Sequence, residues 1–124
     1  MTHKPSADKP SATRKLAPLS RSDLQVLLVL KSEPHHGYGI VRAADEQFPQ
    51  EPPLEIGSLY RILSRLLDQG LIREVKRTDK RPVDGRTRRF YQATALGIQA
   101  ARAEAARLQA LLASPQTVEL LEGE

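Results

Sequence analysis

Around Gly70 the hydrophobic pattern of the chain changes period, and that change constrains the fold more than any other feature. The stretch 56–72 reads IGSLYRILSRLLDQGLI. At about 100° per residue, Leu59, Ile62, Leu63, Leu66 and Leu67 fall in one continuous sector. Ser58, Arg61, Ser64, Arg65 and Asp68 fall in the opposite one, with Tyr60 at the flank. The spacing predicts a two-faced helix over about 57–69, ended by Gly70 as a left-handed C-terminal residue. Immediately afterwards LIREVKR and TRRFYQA read as strands, separated by TDKRPVDG with its Pro and Asp-Gly turn signals. The chain must therefore deliver an amphipathic helix straight into a hairpin.

What precedes and follows fits around that unit. Residues 1–18, MTHKPSADKPSATRKLAP, lack periodicity and read as a disordered, mildly basic tail. A first helix is signalled by Ser20 or Ser22 as N-cap with Asp23 in its first turn. Leu24, Leu27, Leu28 and Leu30 make it apolar almost all round, which predicts burial. SEPHHGYG breaks it, and a second helix follows with Ile40, Val41, Ala44 and Phe48 on one face. PQEPP ends that helix, because proline cannot continue it. Thr94 caps a fourth helix running to about 113, and QTVELLEGE reads as an acidic end that frays.

The expected fold is α+β and mostly helical: three helices and a two-stranded β-wing form a winged helix-turn-helix, with a C-terminal dimerisation helix behind it. The corresponding divisions are 1–18 (disordered basic tail), 19–93 (winged helix-turn-helix), 94–113 (C-terminal helix) and 114–124 (acidic tail). A chain of 124 residues with no Trp builds only a modest core of aliphatic side chains, so burial through self-association is expected. Without cysteine there are neither disulfides nor thiol catalysis. No apolar run approaches the roughly 20 residues that span a bilayer, and a cytoplasmic location with no membrane partner is the default.

Charge is unevenly placed. The net charge is +4, yet residues 73–89 carry eight Lys or Arg against three acids, while the segment from 102 to the end has two Arg against four Glu. A concentrated basic element is the footprint expected for a polyanion. The exposed side of the third helix carries small hydroxyls and arginines, which suit close approach to base edges or phosphates. A major groove about 12 Å wide admits one such helix.

Other chemistries find little support. HHGYG has neither the spacing of a phosphate loop nor a preceding strand. His35 and His36 read as a solvated loop pair rather than metal ligands, with Gly37 relaxing the turn into the second helix and Gly39 allowing close packing beneath Tyr38. No nucleophile sits in an elbow motif and the acids are scattered, so neither an enzyme nor a cofactor is expected. In the fourth helix Ile98, Ala101, Ala105, Leu108 and Leu112 recur at spacings of three and four, with Leu111 beside them. The first half of that seam can pack on its own domain, and the second half is left for a partner subunit.

PHHGYGI, GSLYRILSRLLDQGLI and TRRFYQATALG together resemble the PadR family of winged-helix transcriptional regulators, over about 19–112. The resemblance is to the short branch with a single C-terminal helix. His35 stands where the family often has Leu, and TALG stands where T-x-x-G opens the family's C-terminal helix. The resemblance implies a homodimer that binds an inverted repeat in double-stranded promoter DNA, usually as a repressor, and dimerises through the fourth helix. Carried over by position, Ser58, Tyr60, Arg61, Ser64 and Arg65 lie on the recognition helix, Tyr60 as a phosphate contact. Lys76, Arg77, Lys80, Arg81, Arg86 and Arg88 belong to the wing. A small-molecule effector is also within the family's habits. Some relatives hold flat aromatic ligands with tryptophans at the dimer interface, a mode the absence of Trp argues against here. The competing expectation is a winged-helix module whose basic wing docks on an acidic protein.

Overall fold

The computed structural model, which describes residues 18–76 and 89–123, begins its first helix where capping chemistry demands. In α1 (Arg21–Leu30) the Ser20 hydroxyl accepts from the Asp23 backbone N–H at 3.0 Å, and Asp23 Oδ2 accepts from the Ser20 N–H at 3.1 Å. Each side chain thus satisfies a donor the helix leaves open, and Ser20 rather than Ser22 is the cap. Val26, Leu27, Val29 and Leu30 are all buried, so α1 runs through the middle of the domain as its all-round apolar character predicts.

Two further helices pack beside it. α2 (Gly37–Gln47) is capped by His36, whose Nδ1 accepts from the Gly39 N–H at 3.1 Å, and it buries Ile40, Ala43 and Ala44. α3 (Ile56–Asp68) buries Leu59, Leu63 and Leu66. The connection between α2 and α3 is tied to α1 through Glu51, which accepts from Arg21 Nη2 and Gln25 Nε2, both at 2.9 Å. That contact gives the buried Gln25 amide its partner.

The end of α3 is set by its glycine. Gly70 has φ +76°, its N–H donates to the Leu67 carbonyl, and the Leu71 N–H donates to the Leu66 carbonyl. This is a Schellman closure, with the fully buried Leu66 and Leu71 supplying its apolar contact. β1 (Ile72–Val75) then starts directly and pairs antiparallel with β2 (Phe90–Ala93), Ile72 facing Ala93 and Val75 facing Phe90. On the other edge of β2, His35 forms a two-way bridge with Tyr91, N–H to carbonyl at 3.1 and 2.9 Å. His35 and His36 are therefore not the solvated loop pair expected. One extends the sheet, and the other caps α2 with its ring edge-on to Phe90, centroids 5.3 Å apart.

α4 (Ala95–Leu112) explains the T-x-x-G spacing. Thr94 Oγ1 accepts from the Gly97 N–H at 3.0 Å and donates to the Gly70 carbonyl at 2.7 Å. A Cβ on Gly97 would lie 2.0 Å from the Leu71 carbonyl oxygen, so only glycine lets this turn approach the α3–β1 junction. Ala100 and Ala101 are buried against the core, in the half of the seam that can pack on its own domain. Within the expected acidic tail, residues 115–123 form a second C-terminal helix, α5 (Pro115–Gly123). Ser114 Oγ accepts from the Thr117 N–H, and Thr117 Oγ1 donates to the Leu111 carbonyl, fixing the turn between the two helices. The expected tail 1–18 lies outside the described residues except for Pro18.

Candidate nucleic-acid interface

The candidate reading face exists because α3 spends its leucines inward. With Leu59, Leu63 and Leu66 at 0–1% exposure, helical geometry turns the intervening positions out. Arg61 and Ser64 are exposed, Tyr60 is 49% exposed, and Ser58 is half-buried at the helix start. Glu55, at the N-cap position, makes no side-chain capping bond.

Arg65 is placed differently. Its Nη2 is in an ion pair with Asp23 Oδ1 on α1, and its side chain is 46% exposed against 6% for Asp23. Of the five positions expected to read DNA on this helix, Arg65 alone is tied by an ion pair to a buried group, among the described residues.

Tyr60 links this face to α2. A Cβ on Gly37 would fall 2.6 Å from the Tyr60 hydroxyl, so the α3 side chain packs directly on the backbone at the start of α2. The close-packing glycine is Gly37, and Gly39 meets His35 and His36 rather than lying beneath Tyr38. Tyr38 itself is 60% exposed in the first turn of α2, next to the residue that touches Tyr60.

Lys76 is exposed where β1 ends, while Arg77, Lys80, Arg81, Arg86 and Arg88 lie outside the described residues. At the base of the hairpin Arg89 donates to Glu74 at 3.2 Å. Burial, then the facing Glu74 carboxylate, pushes the Tyr91 phenol above its ordinary 10.0, against the Arg89 guanidinium that draws it down. Along the α4 seam Ile98 and Leu108 are half-buried, Ala105 is exposed, and Leu111 and Leu112 are 61% and 58% exposed. Val118, Leu120 and Leu121 continue this apolar exposure on α5.

Among the described residues there is no group of three or more His, Cys, Asp or Glu placed to hold a metal, and no helix long and apolar enough to cross a membrane. The architecture is a winged helix-turn-helix with C-terminal helices. The chain belongs to the transcriptional regulator PadR-like family, whose model matches residues 26–103. It is accordingly a transcription regulator and not an enzyme. Its fold is similar to that of a PadR-like regulator from Bacillus cereus, 20% identical, covering 83% of this chain and 93% of that one with a TM-score of 0.65. A PadR family regulator from Eggerthella lenta is 26% identical over 96% and 93% of the two chains, with a TM-score of 0.62. One from Clostridium difficile is 20% identical over 82% and 97%, with a TM-score of 0.63. No curated protein sequence matches the chain.

Proposed function

We propose that the chain is a homodimeric repressor that binds an inverted-repeat promoter site in double-stranded DNA. α3 enters the major groove, and the segment 73–89 lies along the backbone or minor groove. The observation that carries this reading is the polar edge of α3, Ser58, Tyr60, Arg61 and Ser64, on a helix whose opposite side is sealed in the core. Arginine matches the acceptors of guanine, hydroxyls suit either bases or phosphates, and the tyrosine hydroxyl suits a phosphate. The basic segment beyond β1 supplies the sequence-independent attraction that holds such a helix on its site.

A two-fold site requires two copies, and the exposed Leu111 and Leu112 give the second copy an apolar seat on α4. A competition gel shift with the DNA upstream of its own gene tests the proposal. Binding should weaken steeply with salt and should resist an excess of unrelated duplex. Equal competition by unrelated DNA would contradict sequence-specific reading, and no affinity even at low salt would favour an acidic protein partner.

A further inference from the structure

Asp23 is a buried carboxylate that touches the outward-facing helix from behind. It lies on α1, is 5% exposed, and divides its oxygens between two tasks. Oδ2 accepts from the Ser20 N–H and closes the capping box, while Oδ1 holds Arg65 Nη2. A carboxylate so far from water requires compensation, and the helix N-terminus and the Arg65 guanidinium together provide it. Arg65 cannot move to a phosphate without leaving that carboxylate only the helix N-terminus for compensation. A phosphate at the protein surface must then compete with a partner already fixed inside the fold.

We propose that Asp23 restrains Arg65, neutralising it within the fold so that Arg61, and not Arg65, is the guanidinium that α3 presents to DNA. This rests on the DNA-binding reading above. Its consequence is for specificity rather than affinity. Non-specific binding is almost wholly counterion release, so withholding one cation from the phosphates weakens attachment to unrelated DNA. The base contacts of the correct site are untouched, and the ratio between the two widens. Asp23 is therefore a positioning residue that touches no DNA and still sets discrimination.

The test is the salt dependence of binding to an unrelated duplex, followed by fluorescence anisotropy, for the wild type, Asp23→Asn, Arg65→Gln and the double variant. Releasing Arg65 by Asp23→Asn should tighten non-specific binding and steepen the log–log salt slope by about 0.9, the contribution of one added phosphate contact. Arg65→Gln should leave the slope at its wild-type value, and the double variant should match Arg65→Gln. A slope flattened by about the same amount in Arg65→Gln, with none gained in Asp23→Asn, would show Arg65 on phosphate and overturn the proposal. Circular dichroism checks each fold, and if either single variant does not fold, the slope of the other decides alone. Failure of the wild type to bind any duplex at low salt would instead remove the DNA-binding reading on which the proposal stands.

Discussion

Gly97 and Gly70 show how much of this fold hangs on single backbone positions. Gly97→Ala would drive a methyl into the Leu71 carbonyl, and both partners are backbone held in helix and turn. Its cost should reach the upper part of the range of about 1–3 kcal/mol typical of overpacking, read as a lowered denaturant midpoint. Gly70→Ala meets open space but keeps a left-handed φ, so roughly 1–2 kcal/mol is expected. Tyr91 gives a pH signature. Because its folded phenol titrates above the ordinary 10.0, the stability it contributes is fully present below that value and is lost as pH rises through the folded one. Tyrosinate absorbance should therefore lag behind that of free tyrosine. Residues whose partners are close along the chain were legible in the sequence: the capping bonds of Ser20, Gly70 and Thr94 each span three positions. Arg65 was not, because Asp23 lies 42 residues away and an outward polar position looks the same whether its partner is DNA or a carboxylate.

Among the elements, α1, α2, α3 and the hairpin were readable because each carries its own period and its own stop. The third pairing partner of the sheet was hidden. His35 contributes a single residue to the edge of β2, too short for any alternation to announce it. α5 was missed for a different reason. Its acidic residues suggested a solvated end, although Ser114 followed by Thr117 is a local capping pattern that could have marked a helix start. The seam of α4 divides as its burial dictates, with Ala101 inside and Leu111 and Leu112 outside. Replacing both exposed leucines by glutamate should weaken dimerisation at least tenfold, about 1.4 kcal/mol, while leaving the thermal midpoint of the domain little changed. Sedimentation velocity would report the shift. A dimer that survives the double substitution would place the interface elsewhere.

At the scale of the whole molecule, the same hydrophobic economy that builds the core produces the face proposed to read DNA. Leucines drawn to one side of α3 leave a polar edge on the other, and Gly70 turns the chain directly into β1. Family and fold were therefore open to sequence reading, while any base sequence read by the proposed helix depends on a few exposed side chains whose placement does not name it. Two sets of residues should part experimentally. Changes in the basic segment, such as Lys76→Ala, should weaken binding to all duplexes alike and flatten the salt slope. The most direct measurement is the affinity of the wild type and Arg61→Ala for a selected site and for its single-base-pair variants. One base-pair position should lose its discrimination in Arg61→Ala, by about 1–3 kcal/mol, with the other positions unaffected. A uniform loss across every variant would contradict the assignment of α3 as the reading helix.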